Sequence, residues 1–445
     1  MKEMTLEIKN FGPINQAKLD IGKINIIAGQ NASGKTTSSK LFYCLLASVS
    51  SDGEYLADRG IIQRMTPLLF AIGQIITKEY PIESDKLLDL AASLNDINSM
   101  YNMPGISIRE VYDKAINLIQ NIEFKNKDDY EHKLKQLSVL LDLKDDKKAI
   151  YENIIHTLLE IEFDGPEQII NNFNNSEVHL YGKKKECKFK NTIITKDDRS
   201  DVELSNDFLD CIGITEVSYI ETPYIFDFFT AVDYDFPFFR ANNYHQKLLM
   251  RKLRDVPNKE DVYDKVVNKK IILFKEKIDK LIEGHFNFDK DKKDFNFEKD
   301  NKSFTIKNSA AGLKQIGIIQ LLLENRKLLE KSYLIMDEPE VHLHPEWQIK
   351  LAEIIVRLAK DLDITLYINS HSPQFIEAIE VYSRYNDIQD DTNFYLTKKE
   401  ENGKFIFDKI ENNELKKIYQ NLGDPYDIID EINGLNMVKD IKGSD

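Results

Sequence analysis

Gly29-Gln30-Asn31-Ala32-Ser33-Gly34-Lys35-Thr36 is the segment of this 445-residue chain that says most about its fold. It fits the phosphate-loop pattern G-x-x-x-x-G-K-[ST], and it lies between the apolar run from Ile24 to Ile27 and a helical spacing that begins at Lys35. Glycines allow backbone N–H groups to surround phosphate oxygens, and the N-terminus of the following helix favours negative charge. We expect Lys35 to reach the terminal phosphates, the Thr36 hydroxyl to ligate Mg²⁺, and Thr37 to extend the loop's contacts. The motif predicts a nucleoside-triphosphate site.

A second motif is an apolar strand pattern that ends in two acids, Leu334-Ile335-Met336-Asp337-Glu338. We expect Asp337 at the strand tip to hold magnesium and Glu338 to position and polarise an attacking water. Strands often end in acids, so the motif is informative only together with the phosphate loop. The carboxyl ends of adjacent parallel strands meet in one crevice, which would bring the two motifs together.

The third motif, Asn369-Ser370-His371-Ser372-Pro373, follows the next apolar strand. A lone histidine is usually an ordinary structural or surface residue. His371, however, follows the acidic strand by one helix and one strand, where a group that senses the γ-phosphate is needed. We therefore expect His371 to belong to the same site.

The order of these motifs resembles that of the ABC-type ATPase heads of the SMC, SbcC and RecF group, and within it the OLD-like bacterial ATPases called AAA-15 and AAA-21. The resemblance covers about residues 1 to 50 and 300 to 380. Beside the phosphate loop, it is carried by Asn10-Phe11-Gly12-Pro13, Ser309-Ala310-Ala311-Gly312-Leu313-Lys314-Gln315, Met336-Asp337-Glu338-Pro339-Glu340-Val341-His342-Leu343-His344-Pro345 and Ser370-His371-Ser372-Pro373.

The resemblance implies a composite site in which two heads enclose two molecules of ATP with Mg²⁺, and hence a homodimer or a higher homo-oligomer. Each head would supply a signature segment, here Ser309 to Gly312, to the γ-phosphate bound by the other. Gly312 would open a helix whose N-terminus faces that phosphate. The segment departs from the usual serine-glycine-glycine order, because Ala311 stands where the first glycine is expected.

Two further assignments stay open at this stage. His342, Leu343 and His344 lie where the family has its D-loop at the dimer seam, but they also fit a capped turn before the helix that starts at Pro345. A glutamine loop that senses magnesium should lie in the inserted half, and Gln63 is only a guess for it.

The fold class expected is α/β, an ABC-type P-loop ATPase head with a mostly parallel sheet, split by a mainly helical insertion. Helical patterns such as Tyr112 to Ile122 and Tyr130 to Leu141 place the insertion in the first half of the chain. The expected segments are 1–58 for the N-terminal half of the head, 59–175 for the helical insertion, 176–300 for a mixed continuation, and 301–445 for the C-terminal half of the head.

Composition narrows the function classes. The formal net charge of −15 at pH 7 opposes non-specific attraction to nucleic acid, although a local basic groove is compatible with it. Three dispersed cysteines fit neither a disulfide framework nor a zinc site. With no apolar run near the ~20 residues of a membrane span and no signal-peptide pattern, we expect a soluble cytoplasmic protein and no membrane contact.

For the biological role, the resemblance implies the sensor or regulatory ATPase of a bacterial anti-phage defence system, as in the Septu, PARIS and retron-associated systems. The nuclease or toxin effector would be a separate protein, since the roughly 70 residues after His371 are too few for a Toprim nuclease domain. The alternative is a DNA-repair ATPase of the RecF or SbcC kind, which would bind duplex DNA across dimerised heads. A transporter ATPase ranks last, because it would need a regular signature and a shorter core.

Overall fold

The fold is taken from a computed structural model of the full chain. It describes residues 4–58, 60, 67–68, 71, 74, 131–133, 135–136, 139, 147–163, 176–184, 187–196, 199–204, 213–228, 244–256, 264–292, 294–300, 302–306 and 310–422. The chain divides into two compact units, one formed by Met1–Ser50 with His156–Asp445 and the other by Ser51–Ile155.

The centre of the first unit is a run of five mutually parallel strands. Their order is β7-β11-β12-β3-β13, so β3 from the N-terminal part of the chain lies between two strands from the C-terminal part. β3 is buried along its whole length, as expected for an apolar strand covered on both faces. The five strands are β3 Ile24–Ala28, β7 Val217–Ile220, β11 Tyr333–Asp337, β12 Thr365–Ser370 and β13 Thr392–Lys399.

The same sheet continues beyond β13 through mainly antiparallel pairs, in the order β14-β2-β1-β4-β5-β6. β14 is antiparallel to β13 and parallel to β2. These six strands are β1 Met4–Phe11, β2 Ile14–Ile21, β4 Ser176–Lys184, β5 Cys187–Lys196, β6 Arg199–Leu204 and β14 Phe405–Ile410. The α/β class is confirmed, with parallel pairing around β3 and antiparallel pairing on the far side.

Helices cover the parallel strands and bury one continuous apolar core. Helix α7, Pro345–Leu362, illustrates how the sequence sets where a helix begins and ends. Pro345 occupies its first turn, and His344 caps it by accepting a hydrogen bond from the Glu346 N–H at 3.4 Å. Asp363, in the left-handed backbone region, ends it. The helices of this unit are α1 Lys35–Ala47, α3 Ile225–Phe228, α4 Tyr244–Arg254, α5 Asp264–Ile282, α6 Ala311–Glu324, α7 Pro345–Leu362 and α8 Pro373–Tyr385, and α2 Lys147–Glu162 leads into it.

A small antiparallel sheet lies beside α5 and α6 in the order β10-β9-β8. Its aromatic side chains pack on one another, with the rings of Phe286 and Phe297 4.7 Å apart. Gly317 of α6 makes room for Phe286, since a β-carbon there would come within 2.8 Å of its ring. The strands are β8 His285–Asp289, β9 Asp294–Lys299 and β10 Lys302–Thr305.

Every described residue between 51 and 162 is helical. The predicted helix over Tyr112 to Ile122 and the guess of Gln63 fall outside the described residues. Half of the pattern from Tyr130 to Leu141 is described, residues 131–133, 135–136 and 139, and these residues are helical. None of the helices within the described ranges is long and apolar enough to span a bilayer.

Candidate nucleotide-binding site

The predicted phosphate loop joins β3 to α1 at the carboxyl edge of the parallel strands. Gly29 has φ 155° and Gly34 has φ 93°, a conformation that L-residues rarely adopt. A β-carbon at Gly29 would overlap the Thr397 side chain of β13. Gln30, Asn31 and Ala32 at the crest are exposed, whereas Ser33, Gly34 and Lys35 are buried and Thr36 and Thr37 are half-buried.

The Asn10-Phe11-Gly12-Pro13 turn between β1 and β2 packs against the phosphate loop. A β-carbon on Gly34 would lie 2.7 Å from Ile14 Cγ1 and 3.2 Å from Pro13 Cγ, so the turn packs directly on this glycine. Asn10 and Gly12 both take positive φ to make the turn. The packing gives a physical reason for the turn motif to accompany the phosphate loop.

Lys35 is buried at the base of the loop, with 4% of the residue exposed. Its Nζ donates to the carbonyl oxygens of Gly29 at 2.8 Å and Gln30 at 2.9 Å, and it lies 3.8 Å from Glu338 Oε1. Burial lowers the pKa of Lys35, and the charges of Glu338 and Asp337 oppose that shift. The ammonium is therefore held under the loop by loop carbonyls and by the acidic strand end.

Thr36 of the phosphate loop and Asp337 at the end of β11 are in direct contact. The Thr36 hydroxyl donates to Asp337 Oδ2 at 2.6 Å, and Asn369 Nδ2 donates to Asp337 Oδ1 at 2.9 Å. Asn369 Nδ2 also donates to Ser39 Oγ at 2.9 Å. Burial raises the pKa of Asp337, against the two hydrogen bonds that favour its ionised form. One carboxylate thus links α1, β11 and β12.

Glu338 and His371 form a pair at the same edge, with Glu338 Oε1 3.1 Å from His371 Nδ1. The hydrogen bond from His371 lowers the pKa of Glu338, and the same bond raises the pKa of His371. Glu338 takes φ 45°, and its N–H donates to Asn369 O at 2.9 Å. A non-glycine residue in this region costs roughly 1 to 2 kcal/mol, so the neighbouring strand holds Glu338 in a strained position.

The signature assignment is only partly described. Ser309 lies outside the described residues, and Gly312 lies in the first turn of α6, packed so closely on Leu343 that a β-carbon there would overlap that side chain. His342 has φ 66° and stands edge-on to Tyr224 with ring centroids 5.6 Å apart. The capped turn before Pro345 is present, because His344 caps the following helix, and the dimer-seam role of His342 to His344 stays a prediction.

A buried cluster of Glu162, His245 and Glu221, which no sequence motif predicted, lies next to β11. β7 pairs in parallel with β11, Ile220 opposite Met336, so Glu221 follows at the edge where Asp337 and Glu338 lie. Glu221 Oε2 is 3.2 Å from His245 Nε2, and His245 Nδ1 is 2.7 Å from Glu162 Oε2. Burial is the largest influence on Glu221 and opposes its ionisation, but the hydrogen bond and charge of His245, the charge of Lys40 and the hydrogen bond from Gln246 together outweigh burial and lower the pKa of Glu221 to about 2.

Aromatic and hydroxyl groups connect this cluster to the site. The Tyr219 ring stacks on His245 with centroids 4.5 Å apart, and its hydroxyl lies 3.1 Å from Ser39 Oγ, which accepts from Asn369. The only sequence signal was the buried strand before Glu221. Polar residues from four separate segments carry no spacing that sequence reasoning could use.

The residues present fit a magnesium–nucleotide. A hydroxyl and a carboxylate, Thr36 and Asp337, are the hard oxygen ligands that Mg²⁺ prefers. The buried Ser33 Oγ, within the loop, has no hydrogen-bond partner among the described residues and is available to a phosphate oxygen. Lys35 supplies positive charge at the helix N-terminus, where an anion is favoured.

Solved structures of SMC heads resemble this chain over most of its length. One, titled the SmcHead bound to the C-winged helix domain of ScpA, is 11% identical, covers 93% of this chain and 98% of its own, and has a TM-score of 0.46. The SMC head domain from Thermotoga maritima is 10% identical, with coverages of 92% and 100% and a TM-score of 0.39. The Smc head domain with an extended coiled coil, bound to the C-terminal domain of ScpA derived from Pyrococcus furiosus, is 10% identical. It covers 94% of this chain and 98% of its own, with a TM-score of 0.39. No curated protein matches the chain.

A family model provides the assignment that these distant likenesses do not. The model of AAA_15, described as an AAA ATPase domain, matches residues 1–376. The match includes the phosphate loop, the Asp337–Glu338 strand end and His371, and it covers most of the 445 residues. The chain therefore belongs to the AAA_15 family of ATPase domains.

Proposed function

We propose that this chain hydrolyses magnesium-ATP at the carboxyl edge of its parallel strands. The observation that carries the proposal is the convergence of three distant segments. Thr36 contacts Asp337 at 2.6 Å, Lys35 lies 3.8 Å from Glu338, and Glu338 lies 3.1 Å from His371. A cation-binding pair, a phosphate-binding lysine and a carboxylate–histidine pair are the parts that in-line attack of water on a γ-phosphate requires.

Each residue has a distinct part in this proposal. The loop N–H groups and Lys35 bind the phosphates, while Thr36 and Asp337 hold magnesium. Glu338 orients the attacking water and accepts its proton, and His371 contacts both Glu338 and the γ-phosphate region. Magnesium, when bound, would offset the negative charge on the phosphate oxygens.

A homodimer through the heads is part of the same proposal. Its support is the family resemblance together with the exposed crest of the phosphate loop, Gln30 to Ala32. Ser309 and Gly312 would then act on the nucleotide bound by the partner copy. Substitution of Ser309 by alanine should lower turnover only under conditions in which dimers form.

The cellular role proposed is that of the sensor or regulatory ATPase of a two-part anti-phage system whose nuclease or toxin is a separate protein. It is supported by the resemblance to OLD-like defence ATPases. The net charge of −15 disfavours the alternative, a DNA-repair ATPase that binds duplex, because such a protein needs a basic surface.

The test is to purify the protein from cells that carry the neighbouring genes and to measure the native mass of the complexes it forms. The wild type and Glu338→Gln are compared, both with ATP and magnesium present. A stable assembly with a second protein supports the regulatory role. A bare dimer that retains nucleic acid, in an amount that falls with salt, favours DNA repair instead. An ATPase assay with Lys35→Ala as the blank tests the chemistry independently of both.

A further inference from the structure

The turn after β11 carries a second carboxylate, Glu340, that the chemistry described above does not use. It is 2% exposed, and its Oε1 accepts three hydrogen bonds, from Ser370 Oγ at 2.6 Å, His371 N at 3.1 Å and Ser372 N at 3.3 Å. Burying a carboxylate is costly unless its acceptors are used. Oε1 is used three times, whereas Oε2 is buried without a hydrogen-bond partner among the described residues, and burial raises the pKa of Glu340. The three bonds to Oε1 constrain both the turn and the segment it contacts.

These three donors belong to the segment that presents His371. Ser370 ends β12 and Ser372 caps α8, so the His371 backbone bridges a strand and a helix. The Ser372 Oγ receives the Phe375 N–H at 3.2 Å as the cap, and its N–H is turned toward Glu340. Glu340 Oε1 thus lies where the backbone N–H groups before a helix converge, which is a favourable place for an anion.

The same short turn therefore contacts His371 twice. Glu338 contacts the imidazole ring at 3.1 Å, and Glu340 holds the backbone of the same residue. Glu338 O accepts from the Val341 N–H at 3.0 Å, which fixes the two carboxylates relative to each other. Movement of Glu340 would therefore displace His371 relative to Glu338.

We propose that Glu340 is a positioning residue for the ATPase reaction, which holds the Ser370–Ser372 segment so that the His371 ring meets Glu338. The inference rests on the proposed function, because it assigns a role within that site. Glu340 acts only through His371. It therefore changes the turnover number, and it leaves the affinity for ATP to the phosphate loop.

The test compares Glu340→Gln with Glu340→Met. Glutamine keeps an oxygen acceptor for the three donors, whereas methionine has a similar length and no such acceptor. We expect Glu340→Met to lose roughly 100-fold in kcat, the scale of a misplaced catalytic group, with ATP affinity close to that of the wild type. Glu340→Gln should recover most of the turnover.

A double-mutant cycle with His371→Ala gives the outcome that a merely structural role would not produce. If Glu340 acts through His371, Glu340→Met adds little in the His371→Ala background. Losses that multiply, or a Glu340→Met enzyme with wild-type kcat, would overturn the inference. The control is Glu353→Gln, a surface carboxylate paired with Arg357 at 3.2 Å.

Two further arms keep the outcome decisive. If Glu340→Met does not fold, Ser370→Ala removes the shortest of the three bonds, and its loss of kcat should also vanish when His371 is alanine; a multiplicative loss would overturn the inference. A wild-type chain that neither binds nor hydrolyses magnesium-ATP overturns the proposed function and this inference with it. Wild-type hydrolysis with independent effects of Glu340 and His371 overturns this inference alone.

Discussion

Thr36 Oγ1 and Asp337 Oδ2, 301 positions apart in sequence, are joined by a 2.6 Å hydrogen bond. The bond spans the first turn of α1 and the end of β11, the two places where magnesium ligands are expected. Asn369 holds the other Asp337 oxygen at 2.9 Å, so the carboxylate is already oriented toward Thr36. Preorganisation of this kind reduces the cost of ordering the ligands when a cation binds.

Asp337→Asn should uncouple nucleotide binding from magnesium. The amide keeps the size and an acceptor oxygen but loses the charge that attracts the cation. We expect ATP affinity to become nearly independent of magnesium and turnover to fall by at least about 100-fold. Calorimetric titration of ATP with and without magnesium measures the first effect. A magnesium dependence equal to that of the wild type would remove Asp337 from the metal site.

Lys35→Ala should remove most of the affinity for ATP. Lys35 Nζ is fixed by Gly29 O and Gln30 O, so the ammonium lies ready beneath the bound phosphates. A hydrogen bond to a charged group contributes about 1.5 to 3 kcal/mol, which corresponds to roughly a 10- to 150-fold loss of affinity. Equilibrium binding of a fluorescent ATP analogue tests this, with the exposed Lys360→Ala as control. Unchanged affinity in Lys35→Ala would contradict the phosphate-loop assignment.

Glu338→Gln should retain ATP and fail to hydrolyse it. Glutamine can occupy the same position beside His371 but accepts no proton from water. General-base catalysis contributes about 10² to 10⁴-fold, and we expect a loss of that order in single-turnover hydrolysis. ATP held in this way should also trap closed dimers, which light scattering after size exclusion would detect. Turnover at the wild-type rate would exclude Glu338 from the role of base.

The sequence predicts the site best where a strand leads directly into a motif. The phosphate loop and His371 each follow a short apolar strand, Asp337 ends another, and all three strands lie side by side in the sheet. Local pattern fixes which residue ends each strand, and parallel pairing then brings the ends together. The mainly parallel sheet was accordingly predicted correctly around β3.

Residues that depend on tertiary packing alone were missed. His245 lies on α4, within residues 228–262, for which no element was predicted. β13 and β14 also went unpredicted, although β13 sets Thr397 against Gly29. In both cases the constraint is a contact between distant segments, which no window along the sequence contains.

The buried Glu162–His245–Glu221 cluster makes stability depend on pH in a defined direction. Burial disfavours a charged His245, but the hydrogen bonds that its ring donates to Glu162 and Glu221, together with the charges of those carboxylates, outweigh burial and raise the pKa of His245 above its usual value. The stabilisation from the charged imidazole is fully present below about pH 6.5 and is lost as pH rises through the raised pKa. Glu221, whose pKa is lowered to about 2, contributes stability that is fully present above the ordinary glutamate pKa. This stability is lost as the pH falls from the ordinary value toward about 2.

His245→Gln should therefore destabilise the fold most in mildly acidic solution. The side chains of His245 and Glu162 are fully buried, and removing one partner of a buried ion pair costs about 3 to 5 kcal/mol. Glutamine can still donate to one carboxylate, so we expect the lower end of that range near pH 6. The difference in unfolding midpoint between wild type and variant should narrow as the pH rises above about 6.5, because the stabilisation from the charged imidazole is lost as the pH passes through the raised pKa of His245. A difference that stays constant as the pH rises would mean that His245 is neutral and that the cluster is held by hydrogen bonds alone.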